Sequence, residues 1–264
     1  MAKILQEIAR YKHDFVARRI AECPAVDLFA RAQDTPRPAD FAGALSAGDG
    51  IALIAEVKKA SPSKGVIRED FDPAAIAEAY ANNGAHALSV LTDEAYFQGC
   101  DEFLQIARSA AGIPVLRKDF TIDPYQIHEA RLIGSDAILL IVALMDGGQL
   151  EDFQGIGRDL GLSVLVEAHT SAELERALEA GANLVGINNR DLQTFETNLD
   201  TTFQLRPHVP PGITFVSESG IDSHDHVRQL EEAGVDAILV GESLMRQSDV
   251  GAAVRVLLHG EEAR

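Results

Sequence analysis

Six residues after each of four glycines, Gly50, Gly112, Gly161 and Gly212, the 264-residue chain places Glu56, Lys118, Glu167 and Glu218. Three carboxylates and one amine at a common offset are groups that move protons: a carboxylate takes or returns one, and an ammonium protonates an oxygen. Lys58, two residues beyond Glu56, adds a second amine. The chain has six lysines against seventeen arginines, and four of the six (Lys58, Lys59, Lys64, Lys118) lie close to Glu56 or within the third apolar run. A guanidinium does not deprotonate in proteins, whereas an amine is tuned by burial and neighbours. Lys58 and Lys118 are therefore candidates for proton chemistry, and Lys59 and Lys64 read as surface residues. The competing reading is a structural salt-bridge cluster. Burying four charges costs several kcal/mol per ion unless they pair, and perturbed groups gather at functional sites, so function is the better reading.

The offset implies that repeated elements hold these residues. A glycine precedes each of eight short runs rich in Val, Ile and Leu, at positions 50, 84, 112, 134, 161, 181, 212 and 234. Near-continuous apolar runs of this length suit strands buried on both faces, as in parallel sheets. Helices fit between them. Asp72-Pro73 and Asp123-Pro124 read as N-cap plus first helical residue, with Gln126 completing a capping box. Thr170 and Glu173 suggest another box, and Val227 with Leu230 marks a helix over 223–233. The glycine ends each helix and turns the chain into the next strand. Eight such units predict an α/β fold, a closed (β/α)8 TIM barrel over residues 50–264, acting as a single catalytic domain. Residues 1–49 form an N-terminal helical extension, with an amphipathic helix through Ile4, Leu5, Ile8, Tyr11 and Phe15, a shorter helix near Val26–Ala32, and a Pro-containing link at residues 35–38. An open doubly wound sheet is the alternative, usually with fewer strands.

In such a barrel, alternate strands share interior layers and catalysis sits at the strand C-terminal ends. Glu56, Lys118, Glu167 and Glu218 then form one charged layer above an apolar plug of Ile54, Leu116, Leu165 and Val216. The seventh and eighth strands end in Glu218-Ser219-Gly220 and Gly241-Glu242-Ser243. Small residues there, before a short helix, match the common barrel phosphate site, so a small phosphorylated molecule is the expected ligand. Pro62, Phe97 and Phe120 follow strands one, two and three and could wall an aromatic pocket. His169 reads as a loop residue, and no Cys/His or Asp/His spacing suggests a metal. The segment 58–68, with Pro62 and Gly65, is a loop.

Formal net charge is −18, from 23 basic and 41 acidic residues. Such a field repels nucleic acid and anionic lipid surfaces. No apolar stretch reaches membrane-spanning length, and the charged N-terminus is not a secretory signal. Cys23 and Cys100 make no disulfide framework. The expectation is a cytoplasmic protein with a small-molecule partner, and with no nucleic acid, membrane or obligate protein partner.

The segments IAEVKKASPSKG (54–65), LSVLTDEAYFQG (88–99), PVLRKDFTIDPYQI (114–127), VLVEAH (164–169), VGINNRDLQTFE (185–196), FVSESGI (215–221) and ILVGESLM (238–245) resemble the indole-3-glycerol phosphate synthase family. They span almost the whole barrel, in order. Sister barrels such as phosphoribosylanthranilate isomerase and the tryptophan synthase α subunit lack the first, third and fifth together. A non-catalytic phosphometabolite-binding barrel would keep the phosphate loops without needing the charged layer. Cys100 stands where Ser is expected. The resemblance implies ring closure, decarboxylation and dehydration of 1-(2-carboxyphenylamino)-1-deoxyribulose 5-phosphate, with no organic cofactor and no metal. The charged layer suits that chemistry, and the expected roles are Lys118 as general acid and Glu167 as second acid/base. Lys58 pairs with the substrate carboxylate or a hydroxyl, and Glu56 and Glu218 tune the lysines. Asn188 and Arg190 bind polar parts of the substrate. Ser61, Ser219, Gly220, Gly241 and Ser243 take the phosphate, and Pro62, Phe97 and Phe120 line the anthranilate pocket.

Overall fold

A strand buried on both faces has no polar side to show water, and the apolar runs become such strands. The computed structural model describes residues 2–48 and 50–260. Its strands are β1 (Ala52–Val57), β2 (Ala87–Leu91), β3 (Val115–Lys118), β4 (Ala137–Ile141), β5 (Ser163–Ala168), β6 (Leu184–Asn188), β7 (Thr214–Glu218) and β8 (Ala237–Val240). They close into an all-parallel barrel, with Ala52 of β1 opposite Ala237 of β8 and Ile54 opposite Ala87 of β2. Helices α1 (Lys3–Glu22), α2 (Ala25–Gln33) and α3 (Phe41–Ala44) precede the barrel. Around it run α4 (Pro73–Asn82), α5 (Glu94–Phe97), α6 (Asp101–Ala111), α7 (Pro124–Leu132), α8 (Gly147–Asp159), α9 (Ser171–Glu179), α10 (Asp200–Leu205), α11 (His224–Glu232), α12 (Glu242–Met245) and α13 (Val250–His259). This is the expected TIM barrel with a helical N-terminal extension. Asp49, the expected boundary residue, lies outside the described residues.

The local signals act as their chemistry dictates. Asp72 accepts hydrogen bonds from the Ala74 and Ala75 amides, and Asp123 with Gln126 forms a reciprocal capping box. The glycine at the foot of each strand has positive φ, from +66° at Gly112 to +109° at Gly84. A side chain there would clash with its own carbonyl, so glycine is the residue that lets helix pass directly into strand.

Two apolar layers result. One lies between strands and helices. The other fills the barrel, where Ile54, Leu116, Leu165 and Val216 are fully buried as the expected plug. Beneath them sit Phe41 of α3 and Leu45, in the same apolar cluster. The stretch after residue 38 is therefore more than a link, because it inserts into the floor of the barrel. Asp40 caps α3 by accepting from the Gly43 amide at 2.8 Å. The segment 58–68 carries a small antiparallel pair, Ala60–Ser61 with Gly65–Val66. Arg68 ties its end to the loop after the neighbouring β8 by donating to the Gln247 carbonyl at 2.8 Å.

The extension is also bolted to β3 by charge. Lys12 of α1 is fully buried, with its Nζ 2.9 Å from Asp93 and 2.6 Å from Asp119. Asp119 also accepts from Thr92 Oγ1 at 2.8 Å. Arg117 donates to Asp101 at 2.9 Å and Glu129 at 2.8 Å, and Arg19 of α1 donates to Glu129 at 2.7 Å. Alternation along the strand turns Arg117 and Asp119 outward and Lys118 inward, so the extension grips both neighbours of the inward lysine.

Burial disfavours the charged forms, yet the pairing wins: Lys12 sits above the ordinary lysine range, and Asp119, held by Lys12 and Arg117, below the ordinary aspartate range. Asp119 thus adds stability that is lost as pH falls through its depressed pKa. Lys12 adds stability that is lost as pH rises through its raised pKa. Both contributions are present together between roughly pH 4 and pH 10. Removing Lys12 strands two buried carboxylates, so Lys12→Ala should cost about 3–5 kcal/mol of unfolding free energy at neutral pH. Urea denaturation measures this, and a loss under about 1 kcal/mol, the scale of an exposed pair, would refute it.

Candidate active site

The C-terminal ends of the odd strands carry the charged layer. Lys118 at the end of β3 reaches across the barrel, with its Nζ 2.8 Å from Glu167 Oε2 on β5 and 2.7 Å from Glu218 Oε2 on β7. Lys58, just past β1, pairs with Glu56 Oε1. Asn188 at the end of β6 donates through Nδ2 to Glu167 Oε1 at 3.2 Å, and its own Oδ1 accepts from the Arg190 amide at 3.0 Å. All of the candidate catalytic and binding residues named from the sequence line one cavity of about 910 Å³ at this end of the barrel.

The carboxylates fit because two even strands lack side chains beside them. A Cβ on Gly186 of β6 would overlap Glu218 Oε1 and come within 3.2 Å of Leu165 Cδ1, and a Cβ on Gly241 after β8 would overlap Glu56. These glycines serve space rather than backbone freedom.

The shared lysine splits the two glutamates. Burial favours the protonated form of each. For Glu167, the Lys118 ammonium and His169 overcome burial, and with the Lys118 and Asn188 hydrogen bonds they hold its pKa at about 2. For Glu218, burial prevails over Lys118, and the negative charges of Glu167 and Glu56 add to it, so its pKa stands at about 7. Its Oε1 is buried and has no hydrogen-bond partner among the described residues. Lys118 is disfavoured as a cation by burial, but Glu167, Glu218 and Glu56 reverse this and raise it above the ordinary lysine range. The layer thus holds a firm ammonium and a firm carboxylate beside a carboxyl raised above the ordinary glutamate range. That separation provides distinct acid and base roles.

At the other end of the cavity, Ser219 (φ +68°) and Gly220 (φ +79°) are consecutive left-handed residues. The non-glycine costs about 1–2 kcal/mol. Asn189 stabilises the turn by donating to the Ser219 carbonyl at 3.1 Å. Ser243 donates its hydroxyl to the Ile221 carbonyl at 2.9 Å, tying the last two loops together, so its backbone amide is the group left for a ligand. Ser61 Oγ lies 3.5 Å from Ser63 Oγ in the first loop. Phe97 and Phe120 face each other at 6.0 Å between ring centroids, tilted by 39°.

Some site features were not legible beforehand. Ile4, Leu5 and Ile8 of α1 line the cavity, whereas their spacing shows only that the helix has an apolar face. Glu242 gathers Arg246 at 3.0 Å, Arg190 at 3.5 Å and Lys64 at 3.9 Å at the rim. Lys64 therefore belongs to the mouth, against its reading as a plain surface residue. The capping box at α9 is half formed: Thr170 accepts from the Glu173 amide at 3.2 Å, but Glu173 reaches one residue further back and accepts from the His169 amide at 2.7 Å. His169 itself stands against Glu167, with its Nε2 3.4 Å from Oε1. Among the described residues, no group of His, Cys, Asp and Glu is arranged to hold a metal ion.

The glycine argument has a direct check. Gly186→Ala should lower unfolding free energy by about 1–3 kcal/mol through overpacking. Gly155→Ala, in α8 with open space around it, should raise it by about 0.5–1 kcal/mol. Chemical denaturation of both variants measures this, and equal effects would refute the packing role of Gly186.

Comparison with known proteins follows this geometry. The pattern described as indole-3-glycerol phosphate synthase matches residues 5–257. The chain is 51% identical over 259 residues to an indole-3-glycerol phosphate synthase of Laribacter hongkongensis, covering 96% of this chain and 98% of that one. It is 50% identical over 263 residues to the enzyme of the same name from Rhizorhabdus wittichii, covering 98% and 100%. A thiamine phosphate pyrophosphorylase from Pyrococcus furiosus shares the fold, with a TM-score of 0.60, 18% identity and coverage of 81% and 96%. The chain therefore belongs to the indole-3-glycerol phosphate synthase family, and it is a carboxy-lyase that makes indole-3-glycerol phosphate in tryptophan biosynthesis.

Proposed function

We propose that the ring-closing reaction is run by Lys118 as general acid and Glu167 as acid/base. The observation that carries this reading is the Lys118 ammonium held at 2.8 and 2.7 Å between Glu167 and Glu218 inside the cavity. The anthranilate carbon bearing the carboxylate attacks the C2′ carbonyl. A C–C bond forms, and the carbonyl oxygen takes a proton from Lys118. The bond to the carboxylate then breaks, carbon dioxide leaves, and its electron pair restores the aromatic ring. In dehydration the C2′ hydroxyl takes a proton and leaves as water. Glu167, ionised at neutral pH, removes the C1′ proton, and the indole is complete. Lys58, held by Glu56, pairs with the substrate carboxylate and supplies the proton for dehydration. Glu218 orients Lys118 and offers its unpartnered oxygen to a substrate hydroxyl. Asn188 and Arg190 bind polar parts of the substrate.

The substrate is a single phosphorylated small molecule. Its phosphate is assigned to Ser61, Ser219, Gly220, Gly241 and Ser243, and its ring to Pro62, Phe97 and Phe120. The extension 1–49 works with the barrel 50–264 as one catalytic domain, a reading supported by α1 lining the cavity. A cytoplasmic location is supported by the free Cys23 and Cys100. No helix among the described residues is long and apolar enough to cross a membrane.

Turnover of the carboxyphenylamino-deoxyribulose phosphate, followed by indole fluorescence with EDTA present, tests these roles. Lys118→Ala should abolish turnover while substrate still binds, and near-normal turnover would remove its role. Glu167→Gln should lower kcat by about 10²–10⁴-fold. Ser219→Ala should act mainly on KM, and an effect confined to kcat would contradict a phosphate role.

A further inference from the structure

Behind Glu167 the cavity wall holds a charge arrangement that the proposed mechanism leaves unused. His169 follows Glu167 by two residues, just past the end of β5. Its Nε2 lies 3.4 Å from Glu167 Oε1, and its Nδ1 lies 3.2 Å from Glu173 Oε2 on α9. The imidazole side chain is only 13% exposed. Nε2 is buried and makes no aligned hydrogen bond. Glu173 is held in turn by the His169 amide at 2.7 Å. The ring therefore sits between two carboxylates on the side of Glu167 away from Lys118.

The charged groups facing this ring are Glu167 on β5, Glu173 on α9 and Glu218 on β7, with Lys118 of β3 bound to the far oxygen of Glu167. A neutral imidazole has one N–H and can serve only one of its two carboxylate neighbours. An imidazolium has two and serves both.

We propose that His169 is a positioning residue: clamped by Glu173 as an imidazolium, it keeps Glu167 ionised and fixed in place against Lys118. Three electrostatic facts agree. Burial disfavours the charged ring, but Glu173, Glu167 and Glu218 together raise its pKa. Burial raises Glu173, but His169 brings it below the ordinary glutamate range. Glu167 counts His169 among the charges that lower it. As pH rises through the raised imidazole pKa, the ring loses its proton and Glu167 loses one of two cationic neighbours. The clamp therefore weakens on the alkaline side.

The proposal rests on the acid/base role of Glu167, and the test separates the two. His169→Gln keeps a donor near the Nε2 position but removes the charge. Its kcat/KM profile should lose the alkaline limb that the wild type shows where the imidazolium gives up its proton, because a glutamine has no charge to lose. Its kcat should fall by about tenfold, less than the roughly 10²-fold that a 1 Å misplacement of a reacting group can cost, with KM little changed. By reciprocity of coupled titrations, the His169 imidazole pKa followed by NMR should fall in Glu167→Gln and in Glu173→Gln. Superimposable pH profiles of wild type and His169→Gln would overturn the proposal. An imidazole pKa that stays put in both glutamine variants would do so as well, and that measurement stands even if His169→Gln does not fold. Turnover retained by Glu167→Gln would sink the acid/base reading itself. Turnover lost there, with an unchanged His169→Gln profile, would sink only the clamp.

Discussion

A buried ammonium survives in a protein interior only if anions replace the water it has lost. Lys118 depends on two, and much of the structure supplies them. Strands β3, β5 and β7 bring Lys118, Glu167 and Glu218 to one height because they are alternate members of a closed barrel. Gly186 and Gly241 leave room for the carboxylates of the layer. Arg117 and Asp119, on either side of the lysine in sequence, are pinned outward by ion pairs reaching α1 and α7. The helical extension therefore contributes to the charged layer twice, through the apolar face of α1 on the cavity and through Lys12 on the backbone that carries Lys118. Reactions that depend on orientation are sensitive to displacements of about 1 Å, which makes such deep anchoring intelligible.

Two glutamates on one lysine might be expected to behave alike, but their surroundings divide them. Glu167 receives Asn188, Lys118 and the flank of His169, whereas Glu218 keeps one oxygen unpartnered beside the small Gly186. The first is satisfied within the protein and stays ionised. The second is left with capacity for a ligand and holds its proton more tightly than an ordinary glutamate. An enzyme that must both donate and remove protons within one cavity needs that separation.

Much of this was legible in the residues. Glycines at regular distances before apolar runs mark a helix-to-strand transition that needs positive φ, and the common six-residue offset places charged side chains in one layer because strand geometry repeats. Other features leave no such trace. Helix α3 spans four residues, too few for a periodic signal, so its insertion beneath Ile54 appears only in three dimensions. Lys12 looks like any lysine on a surface helix, since its partners Asp93 and Asp119 are far away in sequence. His169 sits in the loop after β5, and its approach to Glu167 at 3.4 Å is set by the fold rather than by the local sequence. Long-range pairing of charges is the component that local spacing does not encode.

The buried floor sets the traffic of the reaction. Phe41 and Leu45 lie beneath the plug of Ile54, Leu116, Leu165 and Val216, so among the described residues that end of the barrel is filled. The cavity lies at the opposite end, where α1 lines it. In such a cul-de-sac the bulkiest product has the narrowest way out, so the shape of the mouth bears on how long each cycle occupies the cavity.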